Sequence, residues 1–185
     1  MNLNKYNYDN NSISKNNYYD SLHIPDYLFN NNYVSDGSGN SYSASLYYNG
    51  KFDKLGKELN FDVTYTDSRN KNNSNQIIQY FDSLVIPVNN PSKQTDVTNL
   101  KNYNLKIQLD YSNPFNDKTR FETGYRGIFR ANDNDFRSDT LNYTFNTFIR
   151  NDNVTNHFKL SENINAVYGT FSQKIKNFRF KLGLR

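Results

Sequence analysis

His23 and His157 are the first residues to weigh for chemistry, because imidazole titrates near neutral pH and is the commonest metal-binding side chain. They lie far apart in sequence, with no carboxylate or thiol at ligand spacing, so a metal centre is not expected. The chain has no cysteine, which excludes disulfides and thiolate sites. The run Asn132-Asp133-Asn134-Asp135 carries oxygen ligands of the kind Ca²⁺ takes, yet it lacks the glycine and distal glutamate of a calcium loop. A solvated loop is the expectation there. Gly37-Ser38-Gly39 lacks the spacing of a nucleophile elbow, and residues 35–40 read as a turn instead. Asn153-Val154-Thr155 is a triplet expected by chance in so asparagine-rich a chain. Neither catalysis nor a cofactor is expected.

The remaining polar chemistry is periodic. Asn60, Asp62, Lys106, Gln108, Asp110, Arg120, Glu122, Arg126, Arg179 and Lys181 occupy alternate positions in segments whose intervening residues lean apolar. Alternate side chains of a strand share one face, so these residues form one wet wall if the segments are strands. Such a wall has a structural job, pairing opposite charges across strands for roughly 0.2–1 kcal/mol each. It also has a functional one, shaping a path for a solute.

The elements that must position this wall are six strands. The stretch ELNFDVTYTD, residues 58–67, shows the pattern best: Leu59, Phe61, Val63 and Tyr65 alternate with Asn60, Asp62, Thr64 and Thr66. Residues 42–52, 103–111, 119–129, 160–170 and 178–185 alternate likewise. In 160–170 the apolar side is read as Leu160, Ile164, Ala166 and Tyr168, opposite Asn163, Asn165, Val167 and Gly169. That leaves Glu162 on the apolar side, where it is read as marking a water boundary.

Short and long connections alternate. Residues 54–57, 112–118 with Asn113-Pro114, and 174–177 read as hairpin turns, whereas 68–102 and 130–159 are long and rich in Asn, Asp and Ser. Compact soluble domains seldom carry unstructured connections beyond about 12–15 residues. The first long loop holds an apolar island from Gln76 to Ile86, which suits a loop hairpin or a helical turn. The second holds an alternating piece, Leu141 to Ile149, read as a loop strand. Residues 1–40 read as an irregular or surface-loop region, and 41–185 as the stranded part.

Composition narrows the class. Only 35% of residues are hydrophobic, yet the chain has 16 Tyr and 14 Phe, which argues against full disorder. The net charge of +4 is spread without a basic run, so nucleic acid is not an expected partner. No apolar run approaches the roughly 18 residues of a spanning helix, which leaves strand-built membrane proteins open. The start MNLNKYNYDNN has no apolar signal core. Aromatics gather near the short turns (Tyr48 and Phe52, Tyr111 and Phe115, Phe171 and Phe178), where an interfacial girdle would lie. The fold expected is all-β, an antiparallel meander forming part of a transmembrane β-barrel with short periplasmic turns and long outer loops. The alternative is a soluble or secreted β-sheet binding domain whose apolar face covers a core.

Residues 109–127, LDYSNPFNDKTRFETGYRG, and 162–185, ENINAVYGTFSQKIKNFRFKLGLR, resemble the outer-membrane β-barrel family related to TonB-dependent receptors. The resemblance rests on Asp110-Tyr111, Pro114, Glu122 to Tyr125, Ala166 to Tyr168 and the final Gly183-Leu184-Arg185. It implies a section of the wall of a surface receptor or transporter in the outer membrane of a Gram-negative type cell. The partners it implies are outer-membrane lipid, the rest of the barrel, a plug domain not visible in this chain, and the TonB system. On this view the chain is a fragment, and the polar wall named above faces the lumen.

Overall fold

The backbone of a strand seeks partners for its N–H and C=O groups, and the described strands find them in one open sheet. The computed structural model describes residues 1–19, 25–53 and 55–185. Among the described residues there are eight strands: β1 (Asn2–Tyr19), β2 (Pro25–Lys51), β3 (Glu58–Phe81), β4 (Pro87–Asn116), β5 (Thr119–Asn142), β6 (Thr147–Arg150), β7 (Asn156–Ile175) and β8 (Phe178–Leu184). They form an open antiparallel meander in the order β1-β2-β3-β4-β5-β7-β8, with β6 paired to β5 off that path. No described helix is long and apolar enough to cross a membrane, which says nothing of crossing by strands.

Three hairpin turns lie at one end of the sheet. Between β2 and β3, the Phe52 amide donates to the Lys57 carbonyl at 2.8 Å, Asp53 Oδ1 accepts from the Lys57 amide at 2.9 Å, and Gly56 takes φ +92°. The β4–β5 turn is tighter than the Asn113-Pro114 signal suggests, because β4 continues to Asn116 through a register shift after Pro114. Pro114 is tolerated there since β3 has already ended, its last partner being Ser112, so no ladder bond is lost on that side. Lys176, at φ +54°, turns β7 into β8.

The long connections turn out to be strand for most of their length, which corrects the expected count of six. The β3–β4 ladder runs from Glu58↔Ser112 to Ile78↔Ser92, far beyond the end of apolar alternation at Tyr65. Residues 66–76 carry no hydropathic period because both faces are wet there, but hydrogen bonding of the backbone does not need one. The apolar island closes as a hairpin: Gln76 to Phe81 finish β3, and Asp82 Oδ1 accepts from the Leu84 and Ile86 amides at 2.9 and 2.8 Å. In the second connection the single loop strand expected over residues 141–149 is instead a hairpin: β5 ends at Asn142, residues 143–146 turn, and Leu141 faces Phe148 of β6.

Two further expectations are corrected. Residues 1–40 are not irregular over their described part: β1 pairs with β2 from Asn2↔Ser43 to Tyr19↔Pro25. Residues 35–40 are interior strand, and Asn132-Asp133-Asn134-Asp135 is strand β5 rather than a loop, so its side chains alternate between faces and cannot converge on an ion. His23 and Lys54 lie outside the described residues.

The glycines expected to turn the chain instead make room for tyrosines. Tyr6 on β1 lies over Gly39 of β2 and donates to Asn70 Oδ1 of β3 at 2.7 Å; Tyr8 crosses Gly37 to reach Asn72 Oδ1 at 3.0 Å. Tyr168 on β7 repeats this device, crossing Gly124 of β5 to donate to Asp110 of β4. A Cβ on Gly124 would lie 2.6 Å from Asp110 Oδ1 and from Tyr168 Cζ, whereas one on Gly169 would meet only a backbone oxygen at 4.0 Å. Gly124→Ala is therefore expected to destabilise the sheet in lipid vesicles by about 1–3 kcal/mol, through overpacking. Gly169→Ala should stay within about 0.5 kcal/mol. Urea unfolding followed by tyrosine fluorescence compares them, and equal midpoints would refute the tyrosine crossing.

Candidate functional site

Register assigns every side chain to a face, because residues opposite each other on neighbouring strands point the same way. One row reads Leu46, Val63, Ile107, Gly127; two residues nearer the short turns another reads Tyr48, Phe61, Leu109, Tyr125, Val167. This face is apolar from the row Ala44, Tyr65, Leu105, Phe129 down to Phe121, Phe171 and Leu182. No described hydrophobic residue is buried; Leu182 is 72% exposed and Leu46 62%. A face of this kind covers no protein core, and in water it would be an aggregation surface.

All ten polar positions singled out in the sequence share the opposite face. The row Asp62, Gln108, Arg126 is followed by Asn60, Asp110, then by Glu122, and then by Arg120 with Lys181. Lys106 lies above them and Arg179 below. Contacts join some of them. Glu122 Oε2 accepts from Lys181 Nζ at 2.9 Å and from Thr170 Oγ1 at 3.0 Å, and Arg120 lies 3.7 Å away. Asp110 takes Gln108 Nε2 at 2.7 Å as well as the Tyr168 hydroxyl. Asn60 Oδ1 accepts from Asn49 Nδ2 at 2.5 Å and Tyr47 Oη at 3.3 Å. Asp62, Lys106, Arg126 and Arg179 have no side-chain hydrogen bond or ion pair among the described residues. The charge ladder is thus partial, concentrated around Glu122.

Strand β7 corrects the sequence reading by a whole face. Tyr125 opposes Val167 and Gly124 opposes Tyr168, so Val167 and Phe171 join the apolar side while Leu160, Glu162, Ile164, Ala166 and Tyr168 join the polar one. Glu162 is therefore not on the apolar face. It faces Arg130, whose Nε donates to Glu162 Oε2 at 2.6 Å. Both sets of β7 residues contain aliphatic side chains, so hydropathy was a weak guide; Glu162 itself was the usable signal. The consequence is that Asn165 sits on the apolar face, where the Tyr125 hydroxyl donates to its Oδ1 at 2.6 Å and satisfies that acceptor. Tyr47, Asn49, Tyr168 and Thr170 are the network members that the sequence reading missed.

Beyond the apolar band, the faces exchange character. Lys5, Asp36, Asp67, Arg69, Lys71 and Lys101 continue the apolar face as a charged one. On the other side, the positions of β1 to β3 from Asn2 to Tyr18, Tyr27 to Ser43 and Thr66 to Tyr80 hold Asn, Gln, Ser, Thr, Gly, Tyr, Phe and Ile without a single charge. Near their far end Tyr18, Tyr27, Phe29 and Tyr80 stack in one cluster, with ring centroids 4.7 Å apart for Tyr18 and Tyr27 and 5.7 Å for Phe29 and Tyr80.

His157 meets a carboxylate that sequence spacing hides: its Nε2 is 2.6 Å from Asp133 Oδ1, on the charged side of the β5–β7 pair, with Lys159 Nζ 3.6 Å from the other oxygen. No group of three metal-ligating side chains occurs among the described residues. The hydrogen bond from His157 holds the Asp133 carboxyl below its ordinary value, with Lys159 and Lys101 adding attraction against partial desolvation. A depressed carboxylate stabilises the folded state above its unfolded pKa, and that contribution is lost as pH falls through the folded value. In a carbon-detected NMR titration, His157→Ala should therefore raise the Asp133 midpoint toward the free-carboxyl range. An unchanged midpoint would contradict the pairing.

Comparison with known proteins agrees with this two-faced sheet. No match was found among curated proteins. Residues 50–185 match the outer membrane protein beta-barrel family, which covers β3 to β8 and the turn before them. An all-antiparallel meander with an uncovered apolar band is the form that family requires, and its location is the outer membrane. This chain belongs to the outer membrane protein beta-barrel family.

Proposed function

We propose that the chain forms part of the wall of an outer-membrane receptor or transporter of the TonB-dependent type, with its long strand extensions receiving ligand outside the cell. The observation that carries this reading is the exchange of face character at the row Ala44, Tyr65, Leu105, Phe129. Below it, apolar residues turn to lipid and the Glu122, Asp110 and Asn60 clusters turn to a lumen. Above it, the outer surface is charged, while the inner surface over β1 to β3 is an uncharged wall of amides, hydroxyls and aromatic rings, flanked on β4 to β7 by Asp96 and the Arg130–Glu162 pair, and suited to a solute that hydrogen-bonds and stacks. The sequence resemblance to receptors that carry a plug adds the TonB system, with the polar wall between Asn60 and Lys181 as the surface a plug would meet. No catalytic role is proposed. A soluble β-sheet domain is disfavoured because nothing in the described sheet covers Leu46, Leu109 or Leu182.

The absence of cysteine makes a clean test by single substitutions. In native membranes Gln108→Cys should react with a charged maleimide and Ile107→Cys should not, with the order reversed for a lipid-soluble reagent. Equal reactivity, or recovery of the protein in the detergent-free supernatant, would reject the barrel wall. Energy coupling is tested separately in intact cells: labelling of Gln108→Cys from outside should rise when TonB is present, while Thr98→Cys on the upper inner face labels alike with or without it. Indifference of Gln108→Cys to TonB would reject that part.

A further inference from the structure

The charged surface above the apolar band is not evenly mixed. Lys5, Asn40, Arg69 and Lys101 stand in one cross-strand row from β1 to β4, with Lys71 two residues higher on the same face. They line a groove of about 410 Å³ that holds no acidic residue among its lining side chains. Arg69 has one ion-pair partner, Asp67, at 3.3 Å, and remains 65% exposed; Lys5, Lys71 and Lys101 have none among the described residues. Asp133, beside Lys101 in the same row, is already engaged by His157 and Lys159. So the β1–β4 section carries surplus positive charge at one height.

That height has a meaning. Two residues below the row lie Tyr42, Asp67 and Tyr103, Asp67 being the carboxylate that pairs with Arg69, and below them Tyr65; the ring centroids are 5.9 Å (Tyr42 to Tyr65) and 5.5 Å (Tyr65 to Tyr103) apart. A continuous tyrosine belt at the edge of an apolar band marks a membrane–water interface. Two residues of a strand tilted by about 45° advance roughly 5 Å along the membrane normal, which puts the cations in the headgroup layer. Lysine and arginine at that depth, on the lipid-facing side, meet phosphate groups.

We infer that the row Lys5, Arg69, Lys101 with Lys71 is a binding site for the phosphate groups of an anionic glycolipid in the outer leaflet. The assignment to the outer leaflet rests on the orientation proposed above, with the short turns periplasmic. The phosphates come from a lipid anchored beside the barrel rather than from free phosphate, because the groove opens directly above the tyrosine belt and the apolar face continues beneath it.

The full chain, purified in mild detergent, is tested against bisphosphorylated lipid A, the same glycolipid stripped of phosphate, and inorganic phosphate, by native mass spectrometry. Wild type should retain the phosphorylated lipid and lose it when phosphate is removed. Neutralising substitutions Lys5→Gln, Arg69→Gln, Lys71→Gln and Lys101→Gln should weaken retention roughly fivefold each. Lys93→Gln, on the same face but far above the belt, should change nothing. Retention unaffected by the substitutions or by loss of phosphate overturns the inference, and displacement by millimolar inorganic phosphate alone would reassign the site to the free anion. The Ile107→Cys and Gln108→Cys labelling pattern, measured on the same variants, separates the outcomes: altered labelling faults the membrane reading, and normal labelling with lost selectivity faults only the lipid site.

Discussion

Everything in this sheet depends on unbroken antiparallel register. With a side-chain period of two, one slip would send Phe61, Ile107 and Tyr125 to the polar side and Asp62, Gln108 and Arg126 to the apolar side. β2, β3, β4 and β5 hold their mutual register from the short turns to well beyond the apolar band, apart from shifts near Pro114 and Gln79. The tyrosines that cross Gly37, Gly39 and Gly124 tie strands two apart and oppose such a slip more firmly than backbone bonds between adjacent strands alone.

The same register lets one strand serve two environments. Along β3 the odd positions change from Leu59, Phe61 and Val63 to Asp67, Arg69 and Lys71, while the even ones change from Asn60 and Asp62 to Asn70, Asn72 and Ser74. Charge in the lower part lies on the side shielded from lipid, where ions would be costly. In the upper part of β1 to β3 it lies on the outer side and the inner side is left neutral, whereas β4 to β7 keep Asp96 and the Arg130–Glu162 pair on the inner side. The rule that charge goes where water is explains the lower arrangement once the apolar band is set in a bilayer, and it permits charge on either side above the band, where both faces are wet.

Legibility followed solvent contrast. Where one face was apolar, as in 58–67 and 103–111, alternation alone placed the strand and its polar positions, and all ten of those positions fell on one face. Where both faces were wet, as in 66–76 and 130–142, hydropathy had no period and strands read as loops. β7 failed for a third reason: aliphatic residues on both sides left Ala166 and Tyr168 assigned to the wrong one. His157 and Asp133 were noticed as residue types, but their meeting depends on cross-strand pairing between segments far apart in sequence.

The sequence by itself determined that antiparallel strands with one apolar face make up the lower sheet, because alternation, turn residues and aromatic placement are local and physical. Tertiary structure decided how far those strands run, which way β7 faces, and that Lys5, Arg69 and Lys101 stand in a row. Those outcomes rest on hydrogen bonds between distant segments, which side-chain hydropathy does not encode.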